Sequence, residues 1–430
     1  MKTTEANTGR AISRRRFLKV SGAAVAPMVL PRTVLGMGGR PGANDRIVTG
    51  HIGLGGMGRF HFNALKDHIG ALCDVDRHHL GAAAEAMDRK VPAYKDYRKL
   101  LEQRDLDAVV IAAPDHWHGL MAVHACEAGK DVYVEKPASK TIEDGRAMLR
   151  AARRYGRVMQ VGSQGRSMPE GHAACTYVRN GELGEVRRVE CWHYENPVGG
   201  DPAKNGDPPP HLDWDFWLGP ARWVPYNPDR VHFNFRWLLD FGGGQIRDRG
   251  AHVLSVVMWC LDMDDRGPVR VTATGTPPHE GLWDCPTKME VTWEYRDPDL
   301  TVVWAQPGVA AADHPYGAVF YGARDKLILR GGDGGTYTEE KAKRYVPPAG
   351  GVTVFRSPGH HRNFLDCVKS RERPIMDIAA AHRVATMCII GNIAYRLGRP
   401  LEWDPVRERC IDDEQANRML GNPGRGSYHL

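Results

Sequence analysis

Arg46-Ile-Val-Thr-Gly-His-Ile52, Gly53-Leu-Gly-Gly-Met-Gly58 and Ala71-Leu-Cys-Asp-Val-Asp76 are the segments that decide the fold. The first is a short apolar run with strand character and the second a glycine-rich turn. The spacing of Phe62 and Leu65 after Arg59 predicts a helix reaching about His68. A second strand then ends on Asp74, twenty-one residues beyond Gly53. Strand, G-x-G-x-x-G turn, helix, strand and acid, in that order, are what a dinucleotide-binding βαβ unit requires.

Each residue type has a physical use there. Gly53 and Gly55 permit a tight turn and close approach of backbone N–H groups to a pyrophosphate, with Gly56 and Met57 in the same turn. Gly58 lets the helix pack against the sheet, and the helix N-terminus adds partial positive charge. Asp74 is placed to accept hydrogen bonds from a ribose diol. A carboxylate there repels a 2′-phosphate, which favours NAD, while Arg77 close by leaves NADP open.

Outward from this unit the alternation continues. Asp107–Ala113, Asp131–Glu135 and Val158–Gly162 read as strands, Gly119–Ala128 and Ile142–Tyr155 as helices. The fold class is therefore α/β, with an N-terminal Rossmann doubly wound parallel sheet over residues 45–165. Beyond it, Val186–Tyr194, Val269–Gly275, Lys288–Tyr295, Leu300–Ala305, Ala318–Tyr321 and Lys326–Arg330 are short runs rich in Val, Thr, Tyr and Trp. They predict a C-terminal α+β domain, residues 166–430, with a large, open, mostly antiparallel sheet. Helical pattern returns at Asn363–Lys369 and Ile378–Leu397. The Pro-rich stretch Asn196–Pro210 reads as a long loop that shapes a binding site.

Composition narrows the function. At 430 residues with 26% charged side chains, the chain supports two folded cores, and stable membrane insertion is not expected. The formal charge of +6 is concentrated at the start, where residues 1–40 hold eight Lys/Arg against one Glu. The other 390 residues carry a net charge of −1, so nucleic acid is not an expected partner. Nine scattered cysteines without a C-x-x-C pair predict neither a disulfide framework nor a zinc knuckle, and no metal is called for. Ser13-Arg-Arg-Arg-Phe-Leu-Lys19, followed by a short apolar run, resembles a twin-arginine export signal. That resemblance makes residues 1–40 a signal peptide and linker, the twin-arginine translocase a partner during export, and the periplasm or another exported compartment the destination.

Open α/β sheets bind ligands at the carboxyl ends of their strands. Glu135-Lys136-Pro137 stands at such an end, and so does Pro114-Asp115-His116-Trp117-His118. Pro114, His118, Glu135 and Lys136 are thus expected beside the cofactor, and Trp117 beside the substrate, whereas Asp115 reads equally as a helix cap. In the second domain Asp248 and His252 stand at i and i+4, on one face of a helix start. A carboxylate there can orient the imidazole, and an imidazole titrating near neutrality can take a hydroxyl proton. Trp192, His193 and Tyr194, beside the Pro-rich loop, are candidates for stacking on a sugar ring.

Gly53-x-Gly55-x-x-Gly58, Glu135-Lys136-Pro137 and Asp248-x-x-x-His252, in this order, resemble the Gfo/Idh/MocA family of NAD(P)-dependent oxidoreductases. Phe364–Arg371 and Gly391–Pro405 resemble its exported branch of sugar dehydrogenases. The resemblance implies that Lys136 hydrogen-bonds the reacting hydroxyl, that His252 is the general base or acid, and that Asp248 positions both substrate and imidazole. Hydride would pass between the nicotinamide and a ring carbon of a sugar or cyclitol, and the chain would form a homo-oligomer. Arg249 and Ser255 depart from the branch, which more often carries Trp and Asp there. An exported enzyme meets no free nicotinamide pool, so NAD(P) is expected to be loaded before export and held tightly. The runner-up is a related NAD-dependent glycosidase that acts by transient oxidation and elimination, and a third reading is a non-catalytic sugar-binding protein.

Overall fold

The computed structural model describes residues 46–308, 314–332 and 335–430. The twin-arginine stretch and the expected leader lie outside the described residues.

Six parallel strands form the first sheet: β1 (Thr49–Ile52), β2 (Ile69–Cys73), β3 (Ala93–Tyr94), β4 (Ala108–Ile111), β5 (Asp131–Glu135) and β6 (Met159–Gly162). Their order is β3-β2-β1-β4-β5-β6, so the winding reverses between β1 and β4 and opens a crevice at their carboxyl ends. Five helices connect them: α1 (Gly56–Ala64), α2 (Arg77–Glu85), α3 (Tyr97–Leu101), α4 (Asp115–Glu127) and α5 (Ile142–Arg154). Strands β1, β4, β5 and β6 are buried along their whole length, as the central strands of a parallel sheet covered on both faces must be, and they bury Thr49, His51, Asp131, Glu135 and Gln160 along with their apolar residues. Helix α4 begins four residues before the sequence expectation. Pro114 is the extended residue before it, Asp115 sits inside the first turn, and the polar run Asp115–His118 is buried, which hid the helical pattern.

Helix α6 (Pro169–Arg179) leads into a nine-stranded sheet. Its strands are β7 (Val186–His193), β8 (Arg270–Thr276), β9 (Lys288–Tyr295), β10 (Leu300–Gln306), β11 (Tyr316–Gly322), β12 (Lys326–Gly332), β13 (Gly335–Thr338), β14 (Leu401–Asp404) and β15 (Arg409–Cys410). The order is β13-β12-β11-β7-β10-β9-β8-β14-β15, antiparallel at every pair except β7 with β10. In β9, Met289, Val291, Trp293 and Tyr295 point into the core, while Lys288, Glu290 and Glu294 face out, so one side of the sheet is open.

The remaining helices are α7 (Trp214–Leu218), α8 (Gln245–Cys260), α9 (Glu340–Lys343), α10 (His360–Ser370), α11 (Ile378–Leu397) and α12 (Glu414–Asn417). Helix α11 packs on α8 and β8 and also on α5, so one core runs through both sheets. It is capped by Asp377, which accepts from the Ala380 N–H, and stopped by Gly398 in the left-handed conformation. It is long and apolar enough to cross a bilayer, yet 83% of its most apolar 18-residue window is buried inside the protein. The nine cysteines are all buried and free, small apolar packing residues.

Between β7 and α8 a long irregular segment straps across the first sheet. The Arg77 N–H donates to the His211 carbonyl (2.9 Å) and the Asp213 N–H to the Val75 carbonyl (3.3 Å). Leu212, Trp214, Trp217, Phe235 and Phe241 give the strap its own small core. It therefore closes one wall of the crevice.

Candidate active site

The glycine turn is built for close approach. Gly53 has φ +85°, and a Cβ there would lie 2.7 Å from the Ala112 backbone. A Cβ on Gly58 would lie 2.0 Å from the Gly53 carbonyl oxygen, so Gly58 lets α1 pack against the turn. Above Gly56 there is open space. No side chain caps the N-terminus of α1, and no acidic residue stands in its first turn. Uncapped N–H groups at the end of a helix dipole form a receptor for a pyrophosphate.

Asp74 ends β2 in the same cleft. Its carboxylate accepts from the Leu54 N–H (2.7 Å) and the Asp76 N–H (2.8 Å), which pins the turn to the strand. Each oxygen keeps lone-pair capacity for a ribose hydroxyl. These features fit the adenosine and pyrophosphate portions of a dinucleotide.

At the other end, β4 and β5 deliver the reactive groups. The His118 ring nitrogens lie 2.8 Å from the Pro137 and Ala113 carbonyl oxygens, tying the ends of the two strands together. The buried Glu135 carboxylate accepts from His61 Nε2 (3.0 Å) and Gln164 Nε2 (2.9 Å). Burial pushes this carboxyl up, but the His61 hydrogen bond and the nearby positive charge outweigh it and hold the group at about 2. Lys136 Nζ donates to Asp248 Oδ1 across the cleft, joining the first sheet to α8. Burial opposes the charged form of Asp248, yet Lys136 and Arg236 hold its carboxyl well below the usual carboxylate range. Burial, followed by the Lys136 cation, pushes His252 down to about 3. This direction runs against the near-neutral imidazole expected from the sequence and favours the neutral ring.

These groups share one cleft of about 430 Å³. Its walls include Gly53, Gly55, Gly56, Met57, Asp74, Pro114, Trp117, His118, Glu135, Lys136, Asp248 and His252. Gly58 lies behind the turn. A larger recess of about 990 Å³, bounded by Glu143, Arg150, Tyr155 and Tyr428, holds neither the glycine turn nor the Lys136 cluster.

The aromatic trio expected to face a sugar does not line the cleft. Trp192 is buried on the face of β7 opposite the core residues Val189 and Cys191, packed against Gly308 and Gly317 with its indole N–H donating to the His314 carbonyl (3.4 Å). His193 is buried, stacked on Tyr316, close enough to Arg249 and Asp248 to feel their charges. Tyr194 is 53% exposed outside the cleft. Aromatic surface comes instead from Trp217, Phe233 and Phe235 of the strap, with Trp117, whose indole N–H donates to the Trp217 carbonyl (2.9 Å).

Sequence reasoning missed Arg236 and Arg166. Arg236 reaches Asp248 Oδ1 (3.4 Å) with its guanidinium over Phe233 and Phe235. Arg166, fully buried, binds the Ser255 carbonyl (2.6 Å) and both carboxylate oxygens of Asp264 (2.6 and 2.7 Å), fixing α8 against the exit of β6. Neither belongs to a recurrent motif; the Phe233/Phe235 flanks of Arg236 were the one local signal.

A doubly wound sheet with a glycine turn, joined through a lysine–aspartate pair to a second α/β domain, defines a two-domain dinucleotide-binding protein of oxidoreductase type. Residues 47–163 match the model described as oxidoreductase family, NAD-binding Rossmann fold, and residues 190–430 the one described as oxidoreductase family, C-terminal alpha/beta domain. The chain belongs to the Gfo/Idh/MocA oxidoreductase family, and its N-terminal domain is the family's NAD-binding domain.

Among curated relatives, an inositol 2-dehydrogenase of Rubrobacter xylanophilus is 30% identical over 233 residues, 52% of this chain and 61% of that protein. A glycosyl hydrolase family 109 protein of Stenotrophomonas maltophilia is 30% identical over 227 residues, 50% of this chain and 49% of that protein. The alignments thus span about half the length of these relatives. The WlbA dehydrogenase of Bordetella pertussis, solved with NADH and UDP-GlcNAcA, superposes with a TM-score of 0.60 at 17% identity, covering 84% of this chain and 99% of that one. That likeness is one of fold.

Proposed function

We propose that the protein is an exported NAD(P)-dependent oxidoreductase that exchanges hydride with a hydroxyl or keto carbon of a sugar or cyclitol. The observation that carries this reading is the cleft itself, which runs from the uncapped glycine turn to Lys136, Asp248 and His252. NAD bound there supplies the hydride acceptor and, on return, the donor. Lys136 Nζ, anchored by Asp248, donates to the reacting oxygen and holds its negative charge as hydride leaves the carbon. Neutral His252 has a vacant ring nitrogen for the hydroxyl proton. The Lys136 cation, held beside the reacting oxygen, stabilises the charge that develops there as the proton passes to His252.

The S-R-R-R-F-L-K stretch supports export in the folded, loaded state. The strap over β2 supports tight retention of the cofactor, and the open face of the nine-stranded sheet supports self-association. The family 109 relative favours a second reading, redox-neutral glycoside cleavage by transient oxidation.

The near-ultraviolet spectrum of purified protein, with sugars added one at a time, separates these readings. Growth of the reduced-nicotinamide band without added cofactor is the expected result. An aglycone released without net reduction would replace dehydrogenation by the second reading.

A further inference from the structure

We infer that Asp76, His79 and His232 form a binding site for a divalent transition metal of the zinc class, stapling the strap to the first sheet. The site lies outside the Lys136 group and takes no part in hydride transfer. Asp76 follows β2, His79 is in the first turn of α2, and His232 comes from the strap, 153 residues later in the chain. One donor atom from each lies within 4.8 Å of the other two, and no ion is present.

Asp76 and His232 stand at ligand spacing, while His79 Nδ1 lies 3.6 Å from Asp74 Oδ2, so Asp74 orients this ring beside the pair. Asp76 is buried, with Oδ1 accepting from the His78 N–H (2.7 Å) as the cap of α2. Oδ2 is thereby turned to the imidazoles, 3.0 Å from His232 Nε2. Zinc–ligand bonds of about 2.0–2.2 Å put adjacent donors of a tetrahedral ion roughly 3.3 Å apart, so this pair is already at ligand spacing. Two imidazoles and a carboxylate suit zinc and its neighbours better than magnesium or calcium, which take oxygen donors. His79 and His232 both border the cleft, so a water or cofactor oxygen can reach a fourth position.

Ring orientation separates this triad from a second one. Asp76, His78 and His211 also have donors within 4.8 Å. The His78 and His211 rings, however, are stacked, with centroids 3.8 Å apart and planes 16° from parallel. An imidazole lone pair lies in the ring plane, so stacked rings aim their nitrogens in parallel and cannot converge on one ion. The His79 and His232 rings are tilted by 53° with centroids 4.6 Å apart, and their in-plane lone pairs can meet. His78 and His211 therefore serve as internal controls.

Cobalt(II) titration of the purified full chain, stripped of metal with EDTA and followed by its visible d–d absorption, tests the site. Saturable binding of one ion per chain is expected, together with a rise in Tm on adding zinc that EDTA reverses. His232→Ala and His79→Ala should each weaken binding at least tenfold, and His78→Ala should leave it unchanged. Asp76→Asn keeps an oxygen to cap α2, so it folds, and it should lose binding as well. Cobalt spectra unchanged by His79→Ala and His232→Ala, or abolished by His78→Ala, would overturn the assignment, as would the absence of saturable binding.

Discussion

Lys136 is the residue on which the chemistry converges, because it reaches from the end of β5 to Asp248 on α8. Lys136→Met should lower kcat by about 10²–10⁴, the range for losing a positioned proton-transfer or charge-stabilising group, while NAD binding persists. Asp248 keeps Arg236 and Arg249 as charge partners in that variant, so circular dichroism should show a folded chain. Unchanged kcat would remove Lys136 from the reaction. Gly58→Ala sets a methyl group against the Gly53 carbonyl. A cost of about 1–3 kcal/mol in stability, with loss of NAD affinity, is expected from denaturant titration and calorimetric binding. Wild-type affinity in that variant would refute the close-approach role.

At the scale of elements, α8 carries Asp248 and His252 and is held by Arg166. Replacing this arginine by Met leaves the half-buried Asp264 and the Ser255 carbonyl without their donor. A loss of about 2–4 kcal/mol is expected, with kcat falling as α8 drifts from Lys136. Stability within 1 kcal/mol of wild type would show that the strut is dispensable.

Five of the six strands of the first sheet were legible because short runs rich in Val, Ile and Ala end in glycine or acid, whereas the two-residue edge strand β3 (Ala93–Tyr94) is too short to show a pattern. The glycine turn was legible because backbone approach admits no other residue at Gly53 and Gly58. The early start of α4 was hidden, since Asp115, His116 and His118 are polar yet buried. Arg236 and the strap aromatics were hidden for a different reason: Arg236 stands one hundred positions beyond Lys136, and only tertiary folding brings it to Asp248.

Across the whole molecule, buried imidazoles set the response to acid. Burial is the leading cause that holds His51, His116 and His252 at about 3 and His360 and His361 at about 4. In the unfolded chain these rings return to about 6.5, so between the two values the unfolded state binds more protons. Their contribution is therefore complete above about pH 6.5 and is lost as pH falls toward 4, by up to about 1.4 kcal/mol per pH unit for each ring. Glu135 and Glu408, both held at about 2 against the opposing effect of burial, add a further loss below about pH 4.5. Tm measured from pH 7 to pH 4 should fall continuously and steepen with acid. A flat profile would mean that these rings are not buried as the fold places them.

The central claim is that a dinucleotide joins the two ends of one cleft. A crystal structure of the full chain with NAD tests it most directly. The account predicts the pyrophosphate on the N-terminus of α1, the ribose against Asp74, and the nicotinamide ring beside Lys136 and His252. A nicotinamide pointing away from that pair, or a cofactor bound elsewhere on the molecule, would contradict it.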